Sequence, residues 1–366
     1  MSNPASSDPV SIAIVGCGSI APTHAKALAG LPGHYRLTHC CDQDRAKADV
    51  FAKQYGLQAI DWQALLDDST IESISLCVPS GLHARLGAEA LQNGKHVIIE
   101  KPMDATLEAC DQLLAAHAAG DRILSIISQH RFDPGSQRVH GLLNENALGK
   151  PVLIDVNIPW YRTQEYYDSG DWRGTWAMDG GGCLMNQGVH TVDLMLWLCG
   201  PVKSVFARTR TAAHERIEVE DVVSASLEFA NGAIGTLLAS TACYPGFLAK
   251  LSIYGTDGTA VLEGDELVTL AIRGQEMQTG ARGTAHALQI ATGGTKSATA
   301  HSSPIPGPTT DGGWAWGDAH RAQFVDFFES VRSGRPPLVD GRSGRDAVAL
   351  IKAVYESART GQPVPL

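Results

Sequence analysis

Gly16-Cys17-Gly18-Ser19-Ile20-Ala21 fits G-x-G-x-x-A; a short apolar run, Ile12 to Val15, precedes it and a helical pattern, Ile20 to Gly30, follows. In that context the first glycine permits a tight turn and the second lets the main chain approach a pyrophosphate. Ala21 allows close helix–strand packing, and the helix N-terminus attracts negative charge. Gly16, Gly18, Ser19 and Ile20 therefore read as dinucleotide contacts. Asp42 ends the next apolar run, Leu37 to Cys41. A carboxylate there accepts hydrogen bonds from ribose hydroxyls and repels a 2′-phosphate, which favours NAD. Arg45 leaves NADP open, and the plainer reading is that Asp42 caps a helix from Gln43.

Glu100-Lys101-Pro102 directly follows the apolar run Val97 to Ile99. In a doubly wound sheet the carboxyl ends of strands line the ligand crevice. Glu100 and Lys101 are thus assigned to the cofactor, with Pro79 and His83, which follow the strand Ser73 to Val78. The alternative is an ordinary solvated lysine. The segment Asp179 to Asp193 is dense in another way: Gly180, Gly181 and Gly182 bring the backbone close to something, and a helix, about Met185 to Leu198, begins. Asn186, His190 and Asp193 are spaced i, i+4 and i+7 on that helix, hence on one face. An otherwise apolar helix has to find partners for such polar groups. One His and one Asp are too few ligands for a metal, so none is assigned. Further pocket candidates are Gln129, His130 and Arg131, then Trp160, Tyr161, Arg162 and Tyr166. Aromatic faces suit sugar C–H surfaces, and Arg and Asn suit hydroxyls or a carboxylate. The plain alternative makes tryptophans such as Trp160 and Trp176 core anchors. Trp314, Trp316 and His320 flank a Gly/Thr/Ser-rich stretch, 278 to 313, read as a mobile loop with those three as its wall.

The elements that must position these residues have two grammars. The first 128 residues alternate strand and helix, the signature of a doubly wound parallel sheet. After Gln129 the apolar pattern approaches alternation over Val152 to Trp160, Val202 to Thr211, Val222 to Phe229 and Ala233 to Thr241. Asn231-Gly232 between the last two signals a hairpin. The expected fold is α/β: a Rossmann domain over 1–128, and over 129–366 a substrate-binding and oligomerisation domain with a mostly antiparallel, open sheet. Two amphipathic helices, near Ala319 to Ser333 and Gly344 to Thr360, end the chain.

A length of 366 residues suits two domains, and a formal charge of −10 disfavours nucleic acid and anionic membranes as partners. Apolar runs such as Leu194 to Cys199 are too short to span a bilayer. The eight cysteines show no C-x-x-C pair, and Met1 to Asp8 has no secretory pattern, so a cytoplasmic protein with reduced thiols is expected.

Taken together, the glycine loop, Glu100-Lys101-Pro102, the Gly-Gly-Gly…His190-x-x-Asp193 segment and the closing Tyr355-Glu356-Ser357-Ala358-Arg359-Thr360-Gly361 resemble the Gfo/Idh/MocA family (glucose–fructose oxidoreductase, inositol dehydrogenase). The resemblance implies an NAD(P)-dependent dehydrogenase acting on a secondary alcohol or hemiacetal of a sugar or cyclic polyol. It implies catalytic roles for Lys101 and His190, a cofactor contact at Trp172-Arg173, a cis bond before Pro102, and a homodimer or homotetramer built on the open sheet. Many members carry Asp where this chain has Asn186. An amide cannot serve as a base, which leaves Asn186 as a substrate hydrogen-bonder beside Lys101, Arg131, Trp160, Arg162 and His190. Two rivals are a dehydrogenase of a non-sugar carbonyl and a non-catalytic dinucleotide-binding regulator.

Overall fold

The computed structural model describes residues 9–31, 33, 35–275, 278–279 and 317–366. These form two compact units, one running to Gln129 and including 317–345, the other covering the rest from His130. The expected continuous division, 1–128 and 129–366, differs in one respect: the chain returns to the first unit over 317–345.

In the first unit β1 (Val10–Val15), α1 (Ala21–Ala29), β2 (Tyr35–Cys41) and α2 (Arg45–Tyr55) are followed by β3 (Gln58–Ala59) and α3 (Trp62–Asp67). Then come β4 (Ser73–Leu76), α4 (His83–Gln92), β5 (His96–Ile99), α5 (Leu107–Ala118) and β6 (Leu124–Ile126). The strands form one sheet in the order β3-β2-β1-β4-β5-β6, and every pairing is parallel. β1, β4, β5 and β6 are buried throughout, which is why apolar residues dominate them; Ser11, Ser73, Ser75, His96 and Ser125 are buried with them. The helix expected from Gln43 starts at Arg45, capped by Asp44, whose carboxylate accepts from Ala46 N and Lys47 N.

In the second unit α6 (Pro134–Asn144), β7 (Pro151–Pro159) and α7 (Gln164–Asp168) precede a π-helical turn, Cys183–Gly188, and α8 (Val189–Cys199). The single helix expected over Met185 to Leu198 is thus two pieces of different pitch. β8 (Val202–Arg210), β9 (Val222–Phe229), β10 (Ile234–Ser240), β11 (Lys250–Gly255), β12 (Gly258–Glu263), β13 (Glu266–Ile272) and β14 (Gln278–Thr279) follow. Back in the first unit lies α9 (Asp318–Ser333); α10 (Gly341–Thr360) begins there and continues into the second unit, where β15 (Val364–Pro365) ends the chain.

The nine strands of the second unit run β14-β13-β12-β11-β7-β10-β9-β8-β15. β7 and β10 pair in parallel, and the rest are antiparallel. Along β9 and β10 burial alternates residue by residue. Val223, Ala225, Leu227 and Leu237 point to the covered face, while Leu153, Phe206, Ile234 and Leu238 are exposed on the other. Asn231-Gly232 makes the expected hairpin; Gly232 takes a φ of +87°. Of the stretch expected to be a loop, Gln278–Thr279 is a strand paired with β13. The remainder, with Trp314 and Trp316, lies outside the described residues.

The return of the chain has a packing cause. Phe324, Phe327 and Phe328 of α9 are fully buried in a cluster with Ile12, Ile14, Ala25 and Leu28. His320, expected in a loop wall, is buried on the same helix, its ring 5.7 Å from that of His24. Phe327→Ala should cost about 3–5 kcal/mol of stability, read from urea unfolding monitored in the first unit.

Candidate active site

The carboxyl ends of β1, β2, β4 and β5 carry the cofactor candidates. Gly16 has a φ of +91°, and a Cβ there would stand 2.5 Å from the carbonyl oxygen of Cys77, so the turn accepts only glycine. A Cβ on Gly18 would meet nothing within 4 Å. Gly18 and Ser19 are exposed, so this stretch of main chain is open to a ligand. Asp42 does not cap α2. Its Oδ2 accepts from Cys17 N at 2.8 Å and its Oδ1 from Asp44 N at 2.9 Å, which fixes the glycine loop to the end of β2. Each oxygen keeps a lone pair for a ribose hydroxyl.

Glu100 is turned inward. Its Oε1 lies 2.7 Å from His24 Nε2, and its Oε2 accepts from Lys101 N at 3.1 Å. His24 Nδ1 is 2.8 Å from Ser75 Oγ and 3.4 Å from Cys77 Sγ. Burial opposes a charge on His24, but the Cys77 sulfur and the Glu100 carboxylate outweigh it and push the imidazole pKa up to about 10. Burial likewise opposes the Glu100 charge, and the His24 bond overcomes it, holding the carboxyl far below its ordinary range. Glu100 therefore positions the first helix rather than facing a ligand. His83 is also buried, with Nδ1 2.7 Å from Pro102 O and Nε2 2.9 Å from Val78 O. Burial lowers its pKa. It braces the turn behind Lys101 instead of presenting a ring to the cofactor. Lys101 and Pro79 are partly exposed, and the Lys101–Pro102 bond is cis, as the resemblance implies.

In the second unit the glycines preceding the π-helical turn serve an internal contact. A Cβ on Gly181 would strike the Tyr355 hydroxyl, and one on Gly182 the carbonyl oxygen of Glu220. The buried Glu220 carboxylate accepts from Gly182 N and Leu184 N, both at 2.9 Å, and from the Tyr355 hydroxyl at 3.0 Å. Burial raises its pKa against those bonds. Asn186, within the turn, donates from Nδ2 to Asp179 Oδ1, and Asp179 Oδ2 accepts from Gly174 N at 2.9 Å.

His190, partly exposed near the start of α8, meets the ring of His130 edge-on at 5.4 Å. His130 Nδ1 lies 2.7 Å from Asp133 Oδ2 and 3.3 Å from Asp265 Oδ1. Burial opposes its protonation, but these carboxylates raise its pKa overall. Asp193 takes a two-pronged bond from Arg131, at 2.8 and 2.7 Å. Arg131, expected to face substrate, is buried and committed to that pair, which anchors α8.

Arg162, Tyr166, Arg173 and Gln187 form one cluster. Arg162 Nη2 donates to Gln187 Oε1 at 3.0 Å, and its guanidinium lies 5.4 Å from the centre of the Trp160 ring. Arg173 stands over the rings of Tyr166 and Trp172 at 4.4 and 4.6 Å. His214 holds the main-chain carbonyl of Arg162 at 2.9 Å from Nε2. Trp176, a core anchor on the plain alternative, is 43% exposed. Sequence reasoning missed His24, Glu220 and Gln187. Thr23-His24 inside an apolar helix was the available signal for the first; nothing local marked the other two.

Two family models match the chain: an oxidoreductase family, NAD-binding Rossmann fold, over residues 10–128, and a GFO/IDH/MocA C-terminal domain over 136–261. A crystal structure of the WlbA dehydrogenase from Bordetella pertussis, in complex with NADH and UDP-GlcNAcA, is 30% identical, covers 99% of each chain and superposes with a TM-score of 0.84. The chain belongs to the Gfo/Idh/MocA family. Other Gfo/Idh/MocA relatives are more distant. The levoglucosan dehydrogenase of Pseudarthrobacter phenanthrenivorans is 23% identical over 95% of this chain and 96% of its own. The myo-inositol 2-dehydrogenase of Thermotoga maritima is 21% identical over 97% and 98%. The first unit is thus an NAD-binding Rossmann domain, and the protein is an oxidoreductase of this family.

The His24–Glu100 pair makes stability depend on pH. A raised imidazole pKa contributes fully below its ordinary 6.5 and is lost as pH rises towards 10. The lowered Glu100 contributes above 4.5 and is lost only in strong acid. The Tm of the first unit should therefore fall between pH 6.5 and 10, and His24→Gln should flatten that slope in calorimetry.

Proposed function

We propose that this chain interconverts a ring CH–OH of a sugar and the corresponding ketone, using NAD. One observation carries the reading. A chain alike from end to end to a dehydrogenase bound to NADH and UDP-GlcNAcA has an ammonium directly after β5 and an imidazole at the second residue of α8. Gly16, Gly18, Ser19 and Ile20 would hold the pyrophosphate, and Asp42 the adenosine ribose. Asp42 would repel a 2′-phosphate, so NAD is preferred to NADP. Trp172 and Arg173 are proposed to touch the cofactor as well. NAD, when bound, supplies the hydride acceptor.

The protein supplies the proton chemistry. His190 takes the hydroxyl proton as general base, and Lys101 stabilises the oxygen as it gains negative charge. The reverse assignment, with lysine as base, uses the same two groups. Asn186, tied to Asp179, orients a second hydroxyl. Trp160 offers an apolar face, and its indole N–H, buried without an acceptor among the described residues, is free to donate to a substrate oxygen. A nucleotide-linked uronic acid such as UDP-GlcNAcA is the first substrate to test.

Lys101→Ala and His190→Ala should each lower kcat by about 10²–10⁴-fold, with NADH affinity retained in His190→Ala. Near-native turnover in both variants, in a stopped-flow assay of NADH formation, would end this mechanism.

We further propose a homodimer or homotetramer formed through the open sheet face. Ile234, 61% exposed, lies opposite Leu153 there, and Leu238 and Phe206 are exposed on the same face, apolar surface that association would cover. Ile234→Glu combined with Leu238→Lys should shift the mass in light scattering to a single chain. An unchanged mass would place the interface elsewhere.

A further inference from the structure

The loop joining β8 to β9, residues 211–221, is fastened to the segment that carries Arg162 and α7. At the exposed rim Gln164 Nε2 donates to Glu215 O at 2.8 Å, Glu215 N returns a bond to Gln164 Oε1 at 2.9 Å, and Arg216 Nη2 pairs with Asp168 Oδ2 at 2.7 Å. Exposed ion pairs of this kind contribute little. The inner fastening is different. His214, its side chain 5% exposed, stands between the buried Asp221 and the main chain of Arg162.

Both ring nitrogens of His214 face acceptors. Asp221 receives Ala212 N, Ala213 N and His214 N as well as His214 Nδ1. Burial opposes its charge, but these bonds prevail and hold its carboxyl down at about 2. An ionised carboxylate only accepts, so Nδ1 donates. The Arg162 carbonyl oxygen, 2.9 Å from Nε2, also only accepts, so Nε2 donates too. A neutral imidazole has one N–H and can make one of these bonds; an imidazolium makes both. Burial opposes that charge on His214, but the Asp221 bond and the Arg162 carbonyl outweigh it and raise the pKa. Tyr167 of α7 lies 4.6 Å away, ring to ring, and stays neutral because burial raises its pKa. Asp168 and Glu215 pair with Arg216, Glu218 accepts from Trp176 N, and the Arg162 guanidinium turns to Gln187. Asp221 is thus the carboxylate in contact with the ring among the described residues.

Arg162 N donates to Thr241 O at 2.8 Å, so both main-chain groups of Arg162 are tied inward and its side chain is left to point along Gln187 and the Trp160 ring. We propose that His214, as an imidazolium, is a positioning residue for the substrate side of the site: by holding the Arg162 carbonyl it fixes where the Arg162 guanidinium lies. Loss of one proton releases that carbonyl and loosens residues 160–163. The pair of bonds is complete below the ordinary 6.5 and is given up as pH rises through the raised value. This rests on the reading of Trp160 and Arg162 as pocket residues; His214 acts through Arg162.

The test uses the full-length protein with two variants. His214→Leu removes both donors, while His214→Gln keeps a donor and cannot titrate. In ¹⁵N-histidine NMR, with the His214 signals identified by their loss in either variant, both ring nitrogens should be protonated at about pH 6. Their titration midpoint should lie above 6.5, or no titration should occur up to about pH 9. Amide exchange by mass spectrometry in peptides covering 160–163 should run about tenfold faster in His214→Leu than in wild type at about pH 6, as loss of a bond from a charged donor requires, with His214→Gln between the two. The ratio of wild-type to His214→Gln exchange should follow the same titration, since the intrinsic pH dependence cancels in the ratio. UDP-GlcNAcA, measured by calorimetry with NADH present, should bind wild type about tenfold more tightly than His214→Leu.

A ring that is neutral at about pH 6 overturns the proposal. So does exchange over 160–163 that is the same in His214→Leu and wild type. So does acceleration spread evenly over the second unit in both variants, which would mark a general structural role. Failure of UDP-GlcNAcA to bind the wild type would count against the substrate reading alone, because the NMR and exchange measurements need no substrate.

Discussion

One buried carboxylate organises the second unit. Glu220 lies at the start of the π-helical turn, where main-chain N–H groups have no partner within the helix, and it receives Gly182 N, Leu184 N and the Tyr355 hydroxyl. Negative charge is favoured at that end of a helix. The contact is possible only because residues 181 and 182 lack a Cβ. From there the turn presents Asn186 and Gln187 side by side, and α8 begins in time to carry His190. π-helical turns are rare and concentrate at functional sites, in keeping with three candidate residues on and just after this one.

The first unit uses the same device with different partners. Asp42 ties the glycine loop to the end of β2 through Cys17 N, and Glu100 ties α1 to the end of β5 through His24. His83 joins the strand-end loop at Val78 to the turn at Pro102. Residues that look like ligand contacts by position, Glu100 and His83, are the internal struts that leave Gly18, Ser19 and Lys101 accessible. A buried charge that loses its partner is strongly destabilising, so these struts tolerate little change.

Legibility in the sequence followed periodicity. β9 and β10 were visible because one face is buried and the other open, giving strict alternation. β11 and β12 were not read, because Leu251, Ser252 and Ile253, and likewise Ala260, Val261 and Leu262, are buried consecutively and show no period of two. The glycine loop was legible as a local motif. The roles of Arg131 and Glu220 were not, since each depends on a partner far away in sequence, Asp193 for one and Tyr355 for the other. Even spacing on one face, the argument for Asn186, His190 and Asp193, assumed a uniform helix. The change of pitch at Gly188 lies between the first residue and the other two.

The aromatic face of α9 completes a core whose other walls, β1 and α1, are encoded at the opposite end of the chain. During synthesis on the ribosome, Ile12, Ile14 and Leu28 emerge long before Phe324, Phe327 and Phe328 exist to cover them. The cofactor-binding unit therefore stays partly uncovered until α9 has been made. Contacts so distant in sequence close slowly and leave apolar surface exposed in the meantime.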